Sequence, residues 1–564
     1  MQAWESGIQA QYPTHLPFHS KNTLVSQRQS GDPIQDAMSA ARARGLWLLA
    51  RIDFSKISAE VVAEHPEWCY VSPTGTRQGH TGDLFSVCPS GGYYLERIFD
   101  ILEEVTKRYP VDGFFINWTT MNEEDYYQRY HGVFHCVSCQ QRWLEVSGGL
   151  LLPAGPTDKT YAMWLKFSRV IIDELTARIR AFISDSLPDA CLILGKTANI
   201  MFHEANNASY RPKVPVLVNS TCFMDMPYRM ATEEPAYFAQ CLIQCISRGG
   251  YPSTYMMDTP GKIPYVCLDV AVNITRFHKR WSSVCDGMRP CSKTGLVRPD
   301  RAHMAGDQFS EALSEFRGLY AAMQELHVAF DVLAQEHLLA MGNTGELKRY
   351  QVVVLPNLGK LGAVEATSLD NWLHEGGHII TTGSSAIEDN GASQLRSLPF
   401  DREFERNSDR ERLFSTYFAP PQASLDAHVF NGPIVPLNGV YHALQWKASS
   451  KGGYKMLSNA PFAPPEKAYG NVQTNERGYG AGDHGSGREV SIPFSVGRGY
   501  RELGLGVFRD FYEGILRKEG AAKESVRFEI AEQVEMTLNA NGSSTSQVPE
   551  GRTLAPTCQY RVGR

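Results

Sequence analysis

Residues Arg349 to Ser385 read RYQVVVLPNLGKLGAVEATSLDNWLHEGGHIITTGSS. The apolar run Val352–Leu355 stops at Pro356-Asn357, a polar stretch of helical character follows, and Gly376-Gly377 leads into a second apolar run at Ile379-Ile380. Two buried strands joined by a helix through short loops make a βαβ unit, the building block of a parallel sheet. Just upstream, Leu319-Tyr320, Leu326-His327 and Phe330-Asp331-Val332 fit a helix running into another strand. The stretch has no Gly-rich phosphate loop and no Ser or Cys in a nucleophile elbow. It therefore reads as a doubly wound domain without visible chemistry of its own, and the search for chemistry moves to the residues before it.

From Leu46 to Arg298 apolar strands alternate with helices. The strands are expected at Leu46–Phe54, Asp112–Asn117, Cys191–Thr197, Val214–Cys222, Ser253–Asp258 and Gly295–Val297. The helices between them include Tyr93–Arg108, Tyr161–Ser186 and Pro235–Arg248. In the second, Trp164, Phe167, Val170, Ile171, Leu175 and Ile179 recur at helical spacing, which marks a core face. Six βα steps point to a (β/α)8 TIM-type barrel. The chain opens on a loop-like stretch, Tyr12 to His19, so the first two barrel strands are expected to be missing. The expected layout is a barrel over 1–300, the doubly wound domain over 301–500, the start of a C-terminal β domain over 501–538 and a disordered tail over 539–564. Residues 385–500 read as less regular. The segment after Tyr500 has a helix and then β-like runs at Ser525–Ile530 and Gln533–Leu538.

A length of 564 residues suggests about three domains at roughly 100–200 residues each, or fewer if one is a barrel. The net charge of -6 is spread without long runs, so neither nucleic acid nor an anionic membrane is expected as a partner. Twelve cysteines are too few for a disulfide scaffold in a chain of this length. Cys136-Val137-Ser138-Cys139 is the one Cys-x-x-Cys. With Cys69 or Cys88 it could make a zinc site, and with His135 a metal-dependent hydrolase centre. The plainer reading is reduced, buried thiols, so no metal and no cofactor are expected. Residues 1–20 lack the apolar core of a signal peptide, and no run of about 18 apolar residues occurs. A cytoplasmic location is expected.

In a parallel barrel the chemistry sits at the C-terminal ends of the strands. There the sequence places Arg51 and Asp53, then Asn117 and Trp118, then Glu204, Asn206 and Asn207, then Asp225 and Arg229, and finally Asp258. Glycoside hydrolysis needs two carboxyl groups flanking the bond, one to protonate the leaving oxygen and one to attack or to activate water. The catalytic candidates are Glu204, Asp225 and Asp258. The substrate-binding candidates are Arg51, Asp53, Trp68, Asn117, Trp118, Asn206 and Arg229. Each has a plainer reading. Asp53 pairs with Arg51 or Lys56 as a structural charge cluster; Asn117 is a core amide; Glu204 is a surface loop residue. Asp225 and Arg229 form an ordinary ion pair, Asp258 caps a helix, and Trp68 is core. Asp112 opens its strand, at the wrong end for catalysis, and Glu123, Glu124 and Asp125 read as a solvated loop.

The motifs Arg51–Lys56, His65-Pro66-Glu67-Trp68, Cys88–Tyr94, Val111–Asn117 and Phe134–Cys139 together resemble a group of glycoside hydrolases related to family-42 β-galactosidases. These are described as β-galactosidase-like or α-fucosidase-like. The resemblance continues through Glu204–Asn207, Tyr228-Arg229, Pro464–Gly470 and Tyr500–Leu505. It implies a catalytic barrel followed by a flavodoxin-like trimerisation domain of the class I glutamine amidotransferase-like type. It implies a carbohydrate substrate and a homo-oligomer, a trimer. Family-42 β-galactosidases end the fourth strand in Asn-Glu, the Glu being the acid/base; here the dipeptide is Asn117-Trp118. Where they carry a nucleophilic Glu at the end of strand seven, the nearest match is Asp258. The expected function is a β-galactosidase-like glycoside hydrolase. The alternative is a catalytically inactive carbohydrate-binding or assembly protein.

Overall fold

The computed structural model describes residues 2–5, 9–117, 119–125, 127, 129–194, 216–256, 263–304, 306–420, 433–460, 463–464, 466–467, 471–519, 531–532 and 534–540. The chain divides into two compact units, Met1–Ala198 and Asn199–Arg564. Among the described residues no helix is long and apolar enough to cross a membrane.

The first unit is built on a parallel sheet of four strands, β1 (Gln2–Glu5), β2 (Leu49–Asp53), β3 (Gly113–Asn117) and β4 (Cys191–Leu194), in that order. β1 corrects the expectation that the strand near Leu49 comes first in this chain. Its four residues, QAWE, are too few to show a period, and only the pairing with β2 identifies them. Helices α1 (Ile98–Arg108), α2 (Val137–Ser147) and α3 (Tyr161–Ser186) follow the strands. The stripe on α3 splits along its length. Leu175, Ile179 and Ile183 join Ile52, Phe114, Ile116, Ile98 and Ile101 in one core. Trp164, Phe167 and Ile171 join Trp143, Phe134 and Cys139 in another. Burying each large aliphatic side chain is worth roughly 1.5–3 kcal/mol.

The second unit begins with a parallel pair, β5 (Leu217–Thr221) and β6 (Tyr251–Tyr255), flanked by α4 (Pro235–Ser247) and α5 (Leu268–Arg280). A six-stranded sheet follows. Its strands are β7 (Thr294–Arg298), β8 (Phe330–Ala334), β9 (Val352–Pro356), β10 (His378–Thr382), β11 (Gly480–His484) and β12 (Gly487–Ile492). They lie in the order β8-β7-β9-β10-β12-β11, and all are parallel except the edge strand β11. β8, β9 and nearly all of β7 are buried, as parallel sheets covered on both faces require. This corrects one assignment. The strand expected at Gly295–Val297 as a barrel step is the second strand of this sheet, because a short buried parallel strand reads alike in either setting.

Helices α6 (Gln308–Glu325), α7 (Ala363–His374) and α8 (Val496–Leu503) accompany the sheet. Ala366, Leu369, Trp372 and Leu373 form the buried stripe of α7. Gly377 lies so close to the Trp372 indole that any Cβ there would collide with it. Residues 385–480, read as irregular, contain short antiparallel strands. Phe400–Asn407 pairs with Tyr441–Trp446, and Tyr417–Ala419, Val435–Pro436, Lys455–Leu457 and Gln473–Arg477 form a second small sheet.

Residues 534–540 return to the start of the unit. Asn539–Ala540, expected in the tail, pairs with Arg289–Pro290. Glu535 accepts hydrogen bonds from Arg248 (2.5 Å) and Gln244 (3.1 Å), while Arg248 also donates to Tyr320 (2.6 Å). Thr537 and Asn539 donate to the carbonyl of Ser247 at 2.8 and 2.6 Å. The expected run Ser525–Ile530 and the tail from 541 lie outside the described residues.

Candidate functional site

The two faces of the first sheet differ in chemistry. Ile52, Phe114 and Ile116 point into the core shared with α1 and α3. Side chains alternate along a strand, so Arg51, Asp53, Phe115 and Asn117 take the other face. The register pairs Arg51 with Phe115 and Asp53 with Asn117, which sets Asp53 and Asn117 side by side at the C-terminal ends of β2 and β3. The Arg51 guanidinium lies 6.0 Å from the centre of the Phe115 ring. Four polar or aromatic side chains thus share the face turned away from the helices.

Asp53 is fully buried and forms an ion pair with Lys56, also fully buried, at 2.8 Å. Ser55 donates to its other oxygen through both backbone N–H (2.8 Å) and hydroxyl (2.5 Å). Burial alone would raise the carboxyl. The Lys56 charge and hydrogen bond, with those of Ser55, outweigh it and hold Asp53 below the usual carboxylate range. Lys56 is the ion-pair partner of Asp53. His80 joins this group: its Nδ1 is 3.1 Å from the Ser86 hydroxyl, and burial together with the Lys56 charge pushes its imidazole down to about 4. Sequence reading gave no sign of His80, a single histidine in a hairpin.

Trp68 is buried, with its indole stacked on His65 at 3.8 Å between centroids, met edge-on by Phe18 and tilted against Tyr93. Asp112 accepts from the Leu48 backbone N–H at 2.6 Å, a turn role at the opposite strand end.

The loop after β3 is not merely solvated. Glu123 accepts from Trp164 Nε1 (2.6 Å), Tyr130 (2.8 Å) and Tyr161 (3.0 Å). Asp125 accepts from the backbone N–H of Tyr127 and Arg129 and lies 3.0 Å from His131 Nε2. These carboxylates fasten the loop to α3 and to itself, a role set by partners up to 41 residues away.

Beside this loop Cys88, Cys136 and Cys139 converge. Their sulfurs lie within 4.8 Å of one another, with Cys88 at 2.8 Å from Cys136 and 3.4 Å from Cys139, all buried. Hydrogen bonds from Cys139 and then Cys88 pull the Cys136 thiol down to about 4. Cys88 is pushed up, first by burial, and Cys139 chiefly by its bond to Cys136. One thiolate shared by two thiols has the soft donor set that zinc prefers. His135 takes no part: its Nε2 lies 3.0 Å from the Pro153 carbonyl.

In the second unit Asp225 and Arg229 are exposed and flank the turn Met226–Tyr228 that follows β5. The Tyr228 N–H donates to the Asp225 carbonyl at 2.8 Å, and the Tyr265 hydroxyl to the Arg229 carbonyl at 2.6 Å. Glu204, Asn206, Asp258 and Trp118 lie outside the described residues.

Residues 3–118, which carry β1 to β3, match the family model described as Hypothetical glycosyl hydrolase 6. The whole chain superimposes on α-L-fucosidase isoenzyme 2 from Paenibacillus thiaminolyticus with a TM-score of 0.68, 14% identity, and coverage of 99% of this chain and 85% of that one. The two folds are similar. A β-galactosidase from Rahnella sp. R3 gives a TM-score of 0.66 at 12% identity, over 92% of this chain and 85% of that one. A β-galactosidase from Bacillus circulans sp. alkalophilus gives 0.64 at 11%, over 92% and 86%. No curated protein matches. The resemblance to glycoside hydrolases related to family 42, read from the sequence motifs, therefore stands, and the mixed α/β fold is similar to that of TIM-barrel glycosidases.

Proposed function

We propose that the protein is a glycoside hydrolase of β-galactosidase-like type, acting on a small glycoside through two carboxyl groups at the rim of a (β/α)8-type barrel. The observation that carries this reading is the likeness to glycosidase structures over 92–99% of the chain, joined to the family match at residues 3–118. Glu204 is the first choice for an essential carboxylate and Asp225 the second, with Asp258 next. Glu204 is flanked in sequence by His203, Asn206 and Asn207, groups able to bond a carboxylate or a sugar hydroxyl. One of the pair protonates the leaving oxygen; the other, ionised, attacks the anomeric carbon or activates water. Arg51, Asp53, Asn117, Trp118, Asn206 and Arg229 are assigned to the sugar hydroxyls, and Trp68 to the wall of the site. The six-stranded domain is assigned to flavodoxin-like assembly, because its first four strands take the 2-1-3-4 order of that fold.

The test is a panel of aryl glycosides, β-galactoside and α-fucoside included, followed by Glu204→Gln and Asp225→Asn on any substrate that is cleaved. Loss of an essential acid or base costs on the order of 10²–10⁴ in rate. If both variants keep near wild-type kcat, the assignment is wrong. If no glycoside is cleaved but sugars bind, the chain is a carbohydrate-binding protein on a glycosidase fold, the reading favoured by Trp118 where the related enzymes carry a Glu.

A further inference from the structure

The three cysteines beside the loop after β3 have no part in the proposed function. Cys88 follows the short strand Leu84–Ser86, and its N–H donates to the Trp68 carbonyl at 3.0 Å. Cys136 and Cys139 open helix α2, Cys136 at its N-cap and Cys139 as its third residue. The Cys88 sulfur lies 2.8 Å from that of Cys136 and 3.4 Å from that of Cys139. All three side chains are buried. Val137, next in sequence to Cys136, is 70% exposed, so the cluster lies one residue beneath the surface, within reach of an oxidant little larger than water.

Two chemistries are open to such a cluster, metal binding and oxidation. The sulfurs are soft enough for zinc, but their spacing and number are not those of a zinc site. Zn–S bonds of about 2.3 Å in a tetrahedron hold the sulfurs about 3.8 Å apart, and both contacts of Cys88 are shorter. Structural zinc takes four ligands; among the described residues this group offers three. His135 turns its Nε2 to the Pro153 carbonyl instead. Zinc held by three ligands keeps a fourth position open to water, whereas this cluster is enclosed. A disulfide needs only two sulfurs, about 2.05 Å apart, so closing Cys88 on Cys136 takes a movement of about 0.8 Å.

We propose that Cys88 and Cys136 form an oxidative modification site, in which a hydroperoxide oxidises Cys136 and Cys88 resolves the product to a disulfide. The Cys136 thiolate attacks one peroxide oxygen, the O–O bond breaks and hydroxide leaves, which gives a sulfenic acid. The Cys88 sulfur then attacks the Cys136 sulfur, the S–O bond breaks, and the hydroxyl leaves with the Cys88 proton as water. The two sulfurs lose two electrons in all, and the peroxide gains them. The bond ties the start of α2 to the segment after the strand Leu84–Ser86. Val87, beside Cys88, donates to the Ser55 carbonyl at 2.9 Å, and Ser55 holds Asp53, so the tie reaches the C-terminal end of β2. The site uses none of the candidate carboxylates and stands or falls separately from the glycosidase reading.

The full chain, purified under reductant and then freed of it, is treated with hydrogen peroxide. Its remaining thiols are alkylated after unfolding, and its unreduced peptides are mapped by mass spectrometry. The expected result is a peptide pair joined through Cys88 and Cys136, lighter than the two thiol peptides by about 2 Da and separated by dithiothreitol. Cys88→Ser is expected to lose the link and to leave Cys136 as a sulfenic or sulfinic acid. Should that variant fail to fold, the wild-type map decides alone. Exposed Cys191 is the comparison. If Cys191 is oxidised while Cys88 and Cys136 remain alkylatable, the proposal is overturned. A link between Cys136 and Cys139, or a sulfinic acid at Cys136 of the wild type without any link, overturns it as well. Metal analysis before treatment completes the test: one zinc per chain that must be stripped before the link forms overturns the proposal and makes the cluster a metal site.

Discussion

His80 shows how one side chain can set a pH dependence. Its imidazole is pushed from an ordinary 6.5 to about 4 by burial and by Lys56. In the unfolded chain it takes up a proton as pH falls through 6.5; in the folded chain it stays neutral until about 4. Its contribution to stability is therefore complete above pH 6.5 and is lost progressively between 6.5 and 4. Asp53, depressed rather than raised, keeps its own contribution across that window and loses it only at lower pH. The expected result is that His80→Asn flattens the fall in melting temperature between pH 6.5 and 4. A slope equal to that of the wild type would show that another group carries it. Little of this was legible in sequence. Arg51, Asp53 and Asn117 could be placed because they end apolar runs. His80 and Glu123 could not, since their meaning comes from Lys56, Ser86 and Trp164, which only the folded chain brings near.

At the scale of elements, the contact between α6 and α8 depends on two glycines. Gly318 faces the Gly497 carbonyl, and Gly497 faces the Glu315 carbonyl and the Leu319 N–H. Gly318→Ala adds one methyl where backbone blocks it, so the helices must separate. Overpacking of this kind costs about 1–3 kcal/mol. A lowered urea midpoint with an unchanged m-value is expected; a midpoint equal to wild type would mean that the contact yields freely. Helix α3 was legible to the residue, because an apolar stripe over 26 positions leaves no other period. The strand β7 was seen but given to the wrong sheet, since five buried residues carry no mark of their neighbours. The small antiparallel strands between 400 and 477 were missed, being mostly two to six residues long and fixed by pairing rather than by pattern.

For the whole molecule, the assembly assigned to the six-stranded domain predicts that light scattering at micromolar concentration gives the mass of a trimer, about three times 62.9 kDa. A monomer mass would remove the assembly role and leave the sheet as a structural partner only. The closing segment has a different consequence, in the order of synthesis. Arg248 is buried at the end of α4, and its carboxylate, Glu535, lies 287 residues further on. At 5–20 residues per second, roughly 15–60 s separate the translation of the two. Throughout that interval the nascent chain holds a cation whose place in the fold is not yet tolerable, and the Ser247 carbonyl lacks both its side-chain donors. A chain ending before Glu535 would therefore carry every strand of the main sheet but leave buried Arg248 without its carboxylate, and is expected to be less stable than the full chain.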